Sequence, residues 1–325
     1  MMIVRNIIRQ VQFKGNKMSA QKWFSSSLGI VATLTFTTFL WGSAFPYIKL
    51  SYSALDILKE DIWEQIIFAS YRFFIAAIML LAFFVLSKKD MRPNTKYFSK
   101  LSILGFYQTF LQYLLFYIGL SYSTGVQGSV IAGSSSFFQI LLAIVMFSEK
   151  IDYRKTLGLI LGFFGVITVN ITKDFSSISF GFGEWLLVGS MVANAYGSLY
   201  AKKLCQVIDV GVVTFYQMFI GSIALFVLGC FGSTPFPFSW NINTVFMLLY
   251  LAGLSAVGFL LWNYVMKYNP VGKVSMYLFL IPVFGVLLSG IILGEELNFS
   301  ALLGLILVVS GIITVNKTSG SRQTQ

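Results

Sequence analysis

Apolar runs of roughly 18 to 24 residues follow one another along this chain, each long enough at about 1.5 Å per residue to cross a hydrocarbon core about 30 Å thick. Ten can be counted, over residues 28–50, 64–87, 101–121, 126–148, 154–172, 182–203, 210–230, 243–266, 273–293 and 299–316. A segment in lipid finds no water for its backbone N–H and C=O groups, so it must pair them internally as a helix or within a closed barrel. Barrel strands alternate apolar and polar residues over about 10 positions. These runs are continuous and twice as long, so they predict an all-α polytopic membrane protein. Composition agrees, since 57% of the 325 residues are hydrophobic and only 11% are charged, against about 25% charged in a soluble globule.

The net charge of +11 is then a question of topology. With the N terminus in the cytoplasm, Lys22, the Lys88–Lys100 loop, Lys150 to Lys155, Lys202, Lys203, Lys267, Lys273, Lys317 and Arg322 all fall inside, and only Lys49, Lys59 and Lys173 fall outside. That distribution is the positive-inside bias. It predicts an even number of crossings with both termini cytoplasmic, as a multi-pass protein of the cell inner (plasma) membrane. No water-soluble domain is left to carry a basic face for nucleic acid.

Two phrases nearly repeat: "GLILGFFGVITVN" from Gly158 and "GLILVVSGIITVN" from Gly304, an offset of 146 residues. The same offset pairs Glu149 with Glu295, Ser129 with Ser275 and Phe138 with Phe284, and an offset of 145 lays "YRFFIAAI" from Tyr71 onto "YQMFIGSI" from Tyr216. The chain therefore divides into a basic segment 1–27, a first repeat 28–172, a second repeat 173–316 and a tail 317–325. Five spans per repeat is odd, so the second repeat enters the membrane from the opposite side. Inverted halves that exchange two packings open a central site alternately to either face. The segment "VRNIIRQVQF" suits a short interfacial helix rather than a signal peptide. Met18 is a second candidate start.

The residues "TFLWGSAFPYIKL", "YRFFIAA", Glu149 and Glu295 at span ends, and "LGLILGFFGVITVN" resemble the ten-helix EamA-type members of the drug/metabolite transporter superfamily, over residues 28 to 316. The resemblance implies export of small metabolites, such as amino acids or related amphipathic compounds. Multidrug exporters and nucleotide-sugar or phosphometabolite carriers are the alternatives within that superfamily. Two departures stand out: Asn194 where such proteins often carry Trp, and Ser136 where this chain's own second repeat carries Pro282.

Polar side chains at bilayer depth face protein or a watery cavity, so mid-span polar groups are the expected substrate-binding residues. By depth these are Trp41, Arg72, Gln108, Gln112, Gln139 and Asn194, with Gln217, Trp262, Asn263, Tyr277, Tyr71 and Tyr216 nearer the span ends. For the glutamines, hydrogen bonding between helices is the competing use. Arg72 either clamps a substrate carboxylate or phosphate, or snorkels to the headgroups or a carbonyl. Pro282 predicts a kink that acts as a hinge, and the Gly- and Ser-rich fourth span predicts close packing. Trp23, Trp63, Trp185 and Trp240 read as interfacial anchors. Glu149 and Glu295 serve either as gate or proton-sensing groups or in pairs with nearby Lys or Arg.

With no histidine and two scattered cysteines, neither a metal site nor a cofactor is expected, and no nucleophile and base converge for an enzyme. The partners expected are a small-molecule substrate and the lipid bilayer, with a homodimer left open and no nucleic acid. Cysteines introduced near residues 152 and 298 should be labelled by an impermeant maleimide from opposite sides of the membrane; labelling from one side would break the inversion.

Overall fold

The computed structural model describes residues 20–149, 153–169, 181–295 and 299–316. The proposed interfacial helix at residues 4–13, Asn170 and the tail lie outside the described residues. After a short helix at Ala20–Ser25, ten helical passes follow among the described residues: α1 (Ser27–Ala54), α2 (Ile62–Leu86), α3 (Thr95–Tyr122), α4 (Gly125–Phe147), α5 (Tyr153–Val169), α6 (Phe182–Cys205), α7 (Val210–Gly229), α8 (Ile242–Tyr268), α9 (Val271–Leu293) and α10 (Phe299–Asn316). Among the described residues, seven helices are long and apolar enough to cross a membrane. The other three differ for separate reasons: α5 has 17 residues, the apolar stretch described within α10 is Leu302–Gly311, and α6 is diluted by Asn194, Lys202, Lys203 and several glycines and serines.

Local chemistry sets the ends of the rods. Ser26 accepts a hydrogen bond from the Gly29 amide, Thr124 and Gln127 form a reciprocal capping box, and Asn241 does the same with Thr244. At its C-terminal end α8 is closed by the Lys202 ammonium, which donates to the carbonyls of Met266 and Asn269; a cation suits the negative end of a helix dipole. The fourth and ninth passes stop alike, on a residue in the left-handed region: Ser148 at φ 52° and Gly294 at φ 66°, again 146 positions apart.

Three passes are broken internally. In α3 the turns widen to a π-helix over Phe106–Leu111. A break at Ser134 divides α4 into Gly125–Gly133 and Ser135–Phe147. The ninth pass runs as Val271–Ser275, a 3-10 stretch Met276–Phe279, and Leu280–Leu293. Pro282 explains the last case, because its ring cannot accept a helical carbonyl four residues back and its missing N–H falls in a first turn that needs no partner. The ninth pass is thus interrupted just before the proline, by the 3-10 stretch that ends at Phe279. In α4, which has Ser136 instead, the break is confined to one residue.

The helices pair in a pattern that survives exchange of the first five for the last five. α1 packs on α8 and α9 as α6 packs on α3 and α4, while α2–α7, α4–α9 and α5–α10 pair across the halves. Large apolar side chains such as Leu86, Phe163, Phe164 and Ile291 project outward, as a lipid-facing surface requires. Trp63, Trp185 and Trp240 are exposed near helix ends, where anchors belong. Where α1, α4 and α9 meet, small residues bring backbones together: a Cβ on Gly285 would stand 2.3 Å from the Cβ of Ser129, and one on Gly42 would stand 2.7 Å from that of Phe284. A Cβ on Gly253, by contrast, would meet nothing within 4 Å.

Overpacking a close helix seam costs about 1–3 kcal/mol, so Gly285→Val should lower the melting temperature of the detergent-solubilised protein. Gly253→Ala should hold or raise it, because alanine gains up to about 1 kcal/mol of helix propensity over glycine.

Candidate functional site

Helices α1, α2, α3, α4, α6, α8 and α9 converge on a central hollow of about 60 Å³. Its walls are mostly aromatic, from Trp41, Phe45, Tyr113, Phe116 and Phe259, and its polar groups are Arg72, Gln112, Ser135 and Asn194. Four of the residues expected from depth alone thus meet here: Trp41, Arg72, Gln112 and Asn194.

Arg72 does not snorkel, for it is 1% exposed. Its Nε donates to the Leu251 carbonyl at 3.1 Å and to Ser255 Oγ at 2.8 Å on α8, and its Nη1 donates to the Tyr117 hydroxyl at 3.0 Å on α3. The guanidinium also lies 5.0 Å from the ring centre of Phe73 and 5.7 Å from that of Tyr113, close enough for cation–π attraction. Ser255 spends its own proton on Leu251. The carbonyl reading of Arg72 is therefore met, and it coexists with a place on the cavity wall. Among the described residues the ion pairs are Lys59–Glu60 and Lys89–Asp209, both at the periphery, and neither involves Arg72.

Opposite the aromatic wall runs a chain of neutral hydrogen bonds. Asn194 Nδ2 donates to Gln112 Oε1 at 3.1 Å, while Asn194 Oδ1 accepts from Ser135 Oγ at 2.6 Å and from Gln139 Nε2 at 3.3 Å. Gln139 Oε1 in turn accepts from Ser275 Oγ at 2.7 Å. One network thus joins α3, α4, α6 and α9, and it runs through the broken region of both α4 and α9. Gln139 is fully buried and acts behind the cavity wall rather than on it.

The remaining expected residues go elsewhere. Gln108 lies in the α3–α6 seam, donating to Ser198 Oγ at 3.4 Å against Gly197. Gln217 occupies the position that the 145-residue offset matches to Arg72; it is fully buried beside Gly105, and neither its Oε1 nor its Nε2 has a partner among the described residues. Trp262 stands behind Trp41, with ring centres 5.3 Å apart. Asn263 donates to Thr214 Oγ1 at 3.0 Å, tying α8 to α7. Tyr277 is half-buried in the 3-10 stretch of α9, away from the hollow. Tyr71 turns to the outer loop, where it donates to the Pro235 carbonyl among Phe236, Phe238 and Trp240. Sequence depth missed the apolar lining, Tyr113, Phe116 and Phe259 above all, because no periodic signal separates an inward aromatic from one facing lipid.

Glu149 and Glu295 form no ion pair among the described residues, although each lies close enough to a lysine, Lys202 and Lys49 respectively, to act on it electrostatically. Glu149, after α4, accepts hydrogen bonds from the amides of Val271 at 2.7 Å and Gly272 at 3.0 Å, the first residues of α9. Glu295, after α9, accepts from the amides of Gly125 and Val126 at 2.8 Å each, the first residues of α4. The two carboxylates and their amide pairs differ by 146 in every number. Each caps the exposed N–H groups of the other half's helix, where a dipole favours negative charge. The left-handed turn at Ser148 or Gly294 aims each carboxylate.

A second hollow of about 340 Å³ lies over one face of α8, between α1 and α2. It is larger but its walls are almost wholly apolar, with Tyr250 alone offering a polar tip. Sites for small molecules combine an apolar wall with a few convergent polar groups, which the central hollow does and this one does not.

Comparison with known proteins agrees with this architecture. The chain is 26% identical over 282 residues to a transporter of Archaeoglobus fulgidus, covering 86% of this chain and 94% of that one. It is 30% identical over 304 residues to the transporter YvbV of Bacillus subtilis, covering 89% and 92%. A solved crystal structure superposes with a TM-score of 0.68 at 14% identity, covering 88% of this chain and 97% of the other, which speaks for the fold alone. The profile of the EamA-like transporter family matches twice, at residues 27–171 and 181–317. With nearly the whole length accounted for by that double match, the chain belongs to the EamA-like transporter family.

Proposed function

We propose that this membrane transporter exports a small amphipathic metabolite of about amino-acid size across the cell inner membrane by alternating access, with both termini in the cytoplasm. Two inverted repeats, 28–172 and 173–316, supply the moving parts, and the central hollow is the cargo site. The observation that carries the reading is the reciprocal pair of carboxylate caps. Glu149 holds the inner ends of α4 and α9 together, and Glu295 holds their outer ends together. With both made, α4 and α9 are tied together at each of their ends. Releasing one cap frees one face while the other cap stays as the pivot.

The breaks at Ser134 and before Pro282 fit this use. A helix divided at its middle lets its outer and inner segments swing separately, and the bonds from Ser135 and Ser275 into the Gln139–Asn194 network keep the midpoints in place. Hinges of this kind are a few residues that absorb the change in backbone angle.

Hydrogen bonds to a charged acceptor contribute about 1.5–3 kcal/mol each, and about 1.4 kcal/mol changes an equilibrium tenfold. Glu149→Gln should therefore favour the inward-open form by about tenfold or more, and Glu295→Gln the outward-open form. With Cys205 and Cys230 replaced by Ser and Ala132→Cys introduced in the cavity wall, impermeant maleimide on vesicles of known orientation reads the difference. The two Gln variants should shift labelling towards opposite faces, and each should slow countertransport. Shifts towards the same face, or none, would remove the support for alternation.

A further inference from the structure

We infer that the cargo is a small organic monoanion with a flat apolar body, a carboxylate rather than a zwitterion, a cation, a sugar or a phosphate dianion. The inference rests on reading the central hollow as the cargo site. The hollow holds one permanent positive charge: Arg72 cannot lose its proton and makes no ion pair among the described residues. Every Asp and Glu of the chain lies at or beyond a span end, so no acid is available at that depth to balance it.

The guanidinium keeps donors free for such a partner. Among the described residues the guanidinium makes its bonds through Nε and Nη1. That leaves the Nη2 hydrogens and one on Nη1, the end-on fork that a carboxylate occupies with two parallel hydrogen bonds. Its fixed anchorage to α8 and α3 means little freedom is lost when an anion docks. A buried cation without a counter-charge is unfavourable, and a bound carboxylate relieves that where a neutral molecule does not.

The same surroundings argue against other classes. An ammonium would meet the field of Arg72 with no carboxylate to hold it. In the neutral network the amide oxygens are already engaged, Asn194 Oδ1 accepting twice and Gln112 Oε1 accepting from Asn194 Nδ2. Many hydroxyls of a sugar would thus go unpartnered, at the cost of their desolvation. One guanidinium also falls short of the two charges of a phosphate monoester.

Four probes with one ring and similar size separate these classes: phenylacetate, phenethyl alcohol, phenylalanine and phenethylamine, titrated calorimetrically into the full-length protein in nanodiscs. Phenylacetate should bind at least about tenfold more tightly than the alcohol or phenylalanine, which is the scale of one good charge-assisted contact, and phenethylamine should bind most weakly. Arg72→Gln should erase the preference for the acid while leaving the alcohol within about twofold, and Arg72→Lys, with the charge but not the fork, should fall between. Should Arg72→Gln fail to fold, Asn194→Asp places a carboxylate in the same hollow and should weaken the acid and strengthen the amine. The inference is overturned if phenylalanine or the amine matches the acid, if none of the four binds, or if neither variant changes the ranking. Equilibrium binding needs no alternation, so a failure of the labelling experiment on the caps leaves this ranking readable, and the reverse.

Discussion

No polar group in hydrocarbon can fall back on water, and every irregular feature of this bundle answers to that constraint. At three helix ends another part of the chain supplies the missing partner. The first amides of α9 find Glu149, the first amides of α4 find Glu295, and the last carbonyls of α8 find Lys202. The two carboxylate repairs come from the other half of the chain, so they also help to bind one half of the molecule to the other. A soluble protein would leave many of the same groups to solvent, and its halves would be held by apolar burial instead.

Placing charge at the rim and one charge in the middle follows the same logic. Arg72 is tolerated at depth because α8 contributes a carbonyl and a hydroxyl, α3 contributes a phenol, and aromatic faces surround the rest. The matching position in the second repeat, Gln217, is neutral and has no partner among the described residues. The pseudo-symmetry is therefore kept in the backbone and at the caps, and abandoned in the hollow. Symmetry is thus carried by the helix ends and asymmetry by the lining of the hollow.

The four-residue spacing of Gln108 and Gln112 shows where reading by spacing stops. On a regular helix they share a face, and in the structure they do meet one helix, α6, at Ser198 and Asn194. Only Gln112 reaches the hollow. The π-helix that begins at Phe106 and the close approach of Thr109 to Gly221 alter the local turn, and neither has a sequence signature of its own. Glu149 and Glu295 were visible as a pair from the repeat, yet their partners are backbone amides, which every residue possesses and no sequence marks.

The sequence by itself determined the class, the order and rough placing of the helices, the doubled plan, and the short set of polar residues from which a site had to be drawn. Those properties are local: hydrophobic length, charge at loop positions and periodic likeness are carried by neighbouring residues. Which of the polar groups face one another, which aromatic side chains turn inward and what the carboxylates hold were decided only by tertiary structure. Each of these depends on the rotation of one helix against another more than a hundred residues away, and in lipid both faces of a helix are apolar, so no amphipathic stripe records that rotation.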